Sequence, residues 1–147
     1  MQNLKFKKRK GILFTLLALL AISLTGLQSY GQGQPATMQL VYKNWYILGE
    51  SSKHVDVFCR VIQCENSNQI QLKVFNESNL TQSLRFKIEV FNTANGESFS
   101  KDIEVSLTPV EEIKGACDGP AALNNLKIDL PANYNPMQIN TLITFKQ

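Results

Sequence analysis

LRFKIEV, residues 84–90, is the stretch on which the fold turns. Leu84, Phe86, Ile88 and Val90 alternate with Arg85, Lys87 and Glu89. A period of two puts the apolar set on one face and the charges on the other, which is a strand with one buried side. Asn95-Gly96 follows, a pair that favours a tight hairpin because both residues tolerate positive φ. Phe99, Ile103, Val105 and Leu107 form the return strand, and Pro109 stops it. Lys101 and Asp102 interrupt the alternation, which predicts a bulge there.

The same signal extends in both directions. Upstream, residues 38–48 are rich in aromatic and β-branched side chains and end at Gly49-Glu50-Ser51-Ser52. Val55, Val57, Cys59 and Val61 share one parity, and Glu65-Asn66-Ser67-Asn68 reads as a turn. Ile70, Leu72 and Val74 then alternate with Gln71 and Lys73, before a polar loop at 76–82. Downstream, residues 109–122 read as a long connection, with a single helical turn at most over 111–116. Leu126, Ile128 and Leu130 make another strand, stopped by Pro131, and Ile139, Thr141, Ile143 and Phe145 make the last. About seven short strands in roughly 110 residues predict an all-β domain, a two-sheet, mostly antiparallel β-sandwich. FCRVIQCENSNQIQLKVFN, residues 58–76, leading into Leu84–Val90, resembles the immunoglobulin- and fibronectin-III-like domains of small secreted bacterial proteins. The resemblance covers most of the chain after residue 31. It implies an immunoglobulin-like architecture and no activity, since a fold does not carry a function.

The first residues set the compartment. Lys5, Lys7, Lys8, Arg9 and Lys10 precede an apolar run, GILFTLLALLAISLTGL at 11–27, and a small polar exit, Gln28-Ser29-Tyr30-Gly31. A basic, then apolar, then small-residue order is a secretory signal peptide, with cleavage expected after Gly31. Residues 32–37 read as a flexible leader and residues 38–147 as one domain. The expected place of action is the periplasm or the cell surface and medium, with no membrane span in the mature chain. Five of the 15 basic residues lie in the leader and none of the 12 acids does, so the mature chain changes from net +3 to net −2. Without a basic footprint, nucleic acid is not an expected partner.

An exported chain meets oxidants, and Cys59, Cys64 and Cys117 are an odd set. If residues 59–64 are extended they span about 16 Å, beyond the roughly 7 Å of a bridgeable pair. Cys117 then takes one partner. Cys64, at a strand end, is preferred to Cys59, which shares parity with three valines and reads as a small buried free thiol. Cys59 and Cys64 are separated by four residues on an extended run, which is not read as the spacing of a structural zinc pair, so no zinc site is expected from them with His54 and Cys117. His54 reads as a solvated turn residue.

No nucleophile elbow, phosphate loop or metalloprotease helix appears in the sequence, and Glu111-Glu112 is its only adjacent acidic pair. No enzyme activity and no cofactor are expected. Tyr42, Trp45 and Tyr46 are the one aromatic cluster. On a strand the tyrosines face one side and Trp45 the other, and the simplest reading puts Trp45 in the core. Asn76-Glu77-Ser78 and Asn79-Leu80-Thr81 match the glycosylation sequon but read as turn asparagines. The expected function is a non-enzymatic binding or structural module. Its contacts would come from loops 64–69, 76–82 or 109–122 to an unidentified protein or carbohydrate partner. Two further expectations are a carbohydrate-binding module stacking sugars on Tyr42, Trp45 or Tyr46, and an assembly subunit pairing through a sheet edge.

Overall fold

A computed structural model of the chain describes residues 39–146. The signal peptide, its cleavage site and the leader at 32–37 lie outside the described residues. Eight strands follow in chain order: β1 (Val41–Glu50), β2 (Val55–Cys64), β3 (Ser67–Asn76), β4 (Gln82–Asn92), β5 (Ser98–Leu107), β6 (Glu112–Lys114), β7 (Lys127–Asp129) and β8 (Ile139–Lys146). One 3-10 turn, Ala121–Leu126, precedes β7. The strands form two antiparallel sheets, β1-β2-β3 with β6 and β7 sharing the far edge of β3, and β5-β4-β8.

The alternating stretch becomes β4, the middle strand of the three-stranded sheet. Its Leu84, Phe86, Ile88 and Val90 meet Val55, Val57, Cys59 and Val61 of β2 and Ile70, Leu72 and Val74 of β3 in one core. Two antiparallel sheets each with one apolar face can bury those faces only against each other, and the result is the expected β-sandwich. The order of connections has its own character. The chain stays in the first sheet for three strands before crossing, where an immunoglobulin domain crosses after its second. The likeness therefore holds at the level of two packed antiparallel sheets.

β4 and β5 pair residue for residue from Gln82↔Leu107 to Phe91↔Ser98, so the bulge expected at Lys101 and Asp102 is absent. Lys101 keeps an inward position, opposite Ile88, and its Nζ donates to the Lys127 carbonyl at 2.6 Å. A long stem at the rim of a sheet reaches a polar partner without breaking the ladder. The bulges lie in β1 instead. Ten residues of β1 run against Asp56–Ile62, with register shifts at three places. Bulged, twisted edges resist pairing with a foreign strand.

Three connections differ from the sequence expectation. Asn95-Gly96 marks the β4–β5 hairpin, but the loop is residues 93–97, with Asn92 N–H donating to the Glu97 carbonyl at 2.8 Å and Gly96 at φ 78°. The stretch 111–116 is not helical. It supplies β6, because Lys73–Phe75 of β3 offers unpaired backbone there and tertiary pairing outweighs local preference. Leu126 ends the 3-10 turn, and only Lys127–Asp129 pair as a strand, with Gln69–Gln71. Gly115 joins these pieces at a close approach, where an added Cβ would stand 2.6 Å from the Leu126 carbonyl oxygen.

The turn after β5 carries strain. Glu111 N–H donates to the Thr108 carbonyl at 3.3 Å, and Val110 between them sits at φ 56°. That is the third position of a proline-containing turn, where type II turns carry glycine. The Thr108 amide and hydroxyl both donate to the Glu111 carboxylate, at 2.6 and 2.9 Å, and hold it below the usual carboxylate range. A β-branched residue in the left-handed region costs roughly 1–2 kcal/mol, and glycine returns up to about 1 kcal/mol of that as unfolded-chain entropy. Val110 is 64% exposed, so its side chain contributes little packing. Val110→Gly is expected to stabilise the domain by about 0.5–1 kcal/mol, read from the urea midpoint. A lower midpoint would show that the turn is not strained.

Candidate functional site

The outer face of the five-stranded sheet gathers the unusual side chains. Cross-strand register builds it in rows. Ile47, Phe58, Lys73 and Lys114 are successive partners across β1, β2, β3 and β6. In the next row Arg60 pairs with Gln71, and Gln71 with Lys127. On the β1 side Lys43 pairs Val61 and Tyr46 pairs Cys59, so Asn44 and Trp45 together oppose Arg60. One extra residue in β1 thus brings the indole against the guanidinium.

The contacts follow. The Arg60 guanidinium carbon lies 4.8 Å from the Trp45 ring centroid, and Lys73 Nζ lies 5.7 Å from Trp45 and 4.4 Å from Phe58. Each is within cation–π range. Lys73 also pairs with Glu112 at 3.5 Å. Partial burial lowers the Arg60 pKa, yet guanidinium stays charged at any physiological pH. Ile47, 55% exposed, extends the apolar band toward the sheet edge.

The aromatic cluster is split, and its sides are the reverse of the core-tryptophan reading. Tyr42 and Tyr46 pack against the core and Trp45 lies on the outer face. Thr141 of β8 explains the choice, because its Oγ1 meets the Tyr46 hydroxyl at 2.8 Å across the two sheets. A tyrosine can point inward where its hydroxyl finds a partner. Burial, then the neighbouring Cys59 thiol, pushes the Tyr46 phenol up.

The cysteines fall where the sequence places them. Cys64 and Cys117 form a disulfide with Cα atoms 5.5 Å apart, and Cys59 is a buried free thiol in the core. Burial pushes the Cys59 thiol up, against the hydrogen bonds of Tyr46 and Thr141. Thiolate is the reactive form. Cys59 in the native protein is therefore expected to react with iodoacetamide at pH 8 at least about a hundredfold more slowly than in urea-unfolded protein with its disulfide intact. Similar rates, compared by intact mass, would put the thiol outside the core.

The three candidate loops fare differently. Of 64–69, only Glu65-Asn66 lies outside strands, while 109–122 contains β6 and the segment that carries Cys117. Loop 76–82 is anchored by the fully buried Asn76, whose Nδ2 donates to the Leu80 and Thr108 carbonyls at 2.8 Å each, which fits its reading as a turn asparagine. His54 is exposed, with Nδ1 3.2 Å from Glu50 Oε1. Phe58, Arg60, Gln71 and Lys73 were not singled out in the sequence. Parity on β2 and β3 was the available signal, since it puts them on the face opposite the valines.

A shallow cleft of about 230 Å³ on the other sheet is lined by Lys53, Ser83, Arg85, Glu104 and Lys146. Its charges are already engaged, Arg85 with Glu104 at 3.0 Å and Lys146 with Asp102 at 2.7 Å. Among the described residues no group of three or more His, Cys, Asp or Glu stands close enough to hold a metal ion, and no helix is long and apolar enough to cross a membrane.

No protein-family model and no curated protein matches the chain. Among solved structures, the chain is similar to a DUF1425 family member from Shewanella sp. pv-4, with 13% identity and a TM-score of 0.41 over 71% of this chain and 90% of that one.

Proposed function

We propose that the protein is an exported, non-enzymatic binding module that holds a protein partner on the outer face of its five-stranded sheet. The observation that carries this reading is the Trp45–Arg60 stack, bordered by the exposed Ile47 and by Phe58. Tryptophan and arginine are the residue types most enriched among the few that dominate protein–protein affinity. The bulges of β1 argue for the face over strand addition at that edge. A sugar-stacking role narrows to Trp45, because the two tyrosines face the core.

Export rests on the basic and apolar leader, and the disulfide is compatible with it. Protein recovered from the periplasm of a bacterial host should begin at Gln32 by intact mass. A full-length mass would remove the signal-peptide reading. For the face, a photo-cross-linking residue at Ile47 should capture a discrete partner in cells. The same probe at Leu142, an exposed apolar position on the other sheet, should not. Trp45→Ala in the Ile47 probe protein should abolish the adduct. Equal capture from both positions, or none from Ile47, rejects the face.

A further inference from the structure

Beneath the Trp45–Arg60 stack lies a buried polar chain that ends at the disulfide. Gln71 is fully buried on the outer side of β3. Its Oε1 accepts two hydrogen bonds from Arg60, at 3.0 Å from Nε and 2.7 Å from Nη2. Its Nε2 donates to both disulfide sulfurs, at 3.3 Å to Cys64 and 3.5 Å to Cys117. A bonded sulfur is a weak acceptor, so an amide donor gains little there while the disulfide is intact. The same donor gains far more once one sulfur becomes a thiolate, because the bond is then charge-assisted. Arg60 on the oxygen polarises the amide and strengthens its N–H groups as donors.

We propose that Cys64–Cys117 is a thiol–disulfide exchange site, with the Gln71 amide as the group that stabilises the departing thiolate and Arg60 as its positioning residue. Cys64 is 5% exposed and Cys117 is partly exposed, so the incoming thiolate of a dithiol reductant reaches Cys117. Its sulfur bonds to Cys117 Sγ, the Cys64–Cys117 bond breaks, and Cys64 Sγ leaves with the electron pair, accepting the Gln71 N–H. The second thiol of the reductant, deprotonated, attacks its own mixed-disulfide sulfur and releases Cys117. Both cysteine thiolates take protons from water. Two electrons pass from the dithiol to the cystine, and the reductant departs as a cyclic disulfide. A leaving thiol of lower pKa leaves faster. The same hydrogen bond lowers the nucleophilicity of the Cys64 thiolate, so Gln71 speeds reduction more than the return reaction. The exchange needs no docked protein, although Arg60 belongs both to this polar chain and to the proposed binding face.

The test uses the full oxidised chain and dithiothreitol, with reduction followed by alkylation and intact mass. Gln71→Met is expected to slow reduction about tenfold, the size of one lost hydrogen bond to a charged group. Arg60→Met should fall between Gln71→Met and the parent. Gln71→Glu, which keeps the volume but replaces the donor by an acceptor, should also be slow and serves if the methionine variant does not fold. A variant that only loosens the structure would be reduced faster, so slowing is not a packing effect. In the reduced parent, the alkylation of Cys64 should titrate below the ordinary cysteine value of about 8.5 and move up by about one unit in Gln71→Met. Unchanged rates in the variants, or an unshifted Cys64 titration, would overturn the proposal.

Discussion

Phe86→Ala is expected to destabilise the domain by about 3–5 kcal/mol, a large share of the roughly 5–15 kcal/mol that holds a domain of this size together. Phe86 heads the fully buried side chains by volume. It sits on the central strand β4, flanked by Ile103 on β5 and Phe145 on β8. Its ring meets that of Phe145 at 6.2 Å and 59°, a tilted aromatic pair worth something beyond area alone. Residues from both sheets surround it, so the void left by alanine cannot close without moving a sheet. The measurement is the urea midpoint at unchanged slope. Leu142→Ala, on the outer face of β8 and 57% exposed, is the control and should stay within about 0.5 kcal/mol. A Phe86→Ala loss below about 1 kcal/mol would mean that the two sheets do not pack through β4.

Cys64→Ala combined with Cys117→Ala is the second large effect. The disulfide joins cysteines 53 positions apart. In the chain-entropy account, closing a loop of that size stabilises by about 4 kcal/mol. For a domain near 100 residues that is a fall in Tm of roughly 15–25 °C. The location adds to it, because the bridge ties the end of β2 to the segment between β6 and β7, strands of three residues each. Strands that short hold the β3 edge with few hydrogen bonds of their own. The double variant also leaves Cys59 without a partner for scrambling. Parent protein reduced before heating should melt near the double variant. A shift below about 5 °C would show that β6 and β7 hold without the bridge.

Some of this was legible from residue order alone. Alternation at 84–90, 70–74 and 55–61 gave β4, β3 and β2 with their buried faces, because a side chain's face on a strand depends only on parity. Reach excluded a Cys59–Cys64 bridge, since an extended 59–64 segment keeps the two apart, and the strand-end position of Cys64 made it the preferred partner of Cys117. The parity of Cys59 placed it in the core for the same reason.

Other features depended on neighbours far along the chain. Residues 112–114 became a strand because β3 had an unpaired edge to offer, which no local pattern records. Lys101 stayed in register because a carbonyl of Lys127 stood within reach of its ammonium. The side of β1 that faces inward was chosen by Thr141, nearly a hundred positions away, which supplied the partner for the Tyr46 hydroxyl. The extra residue in β1 then set Trp45 on Arg60, and the Cys117 segment closed over Gln71. The sequence by itself determined the buried faces of β2, β3 and β4, the core they build and the exclusion of a Cys59–Cys64 bridge, since these follow from periodicity and chain reach. Only the tertiary structure decided the outer face with its Trp45, Arg60, Gln71 and disulfide contacts, because bulge positions and edge pairings minimise unsatisfied polar groups over the whole sandwich, not within any one strand.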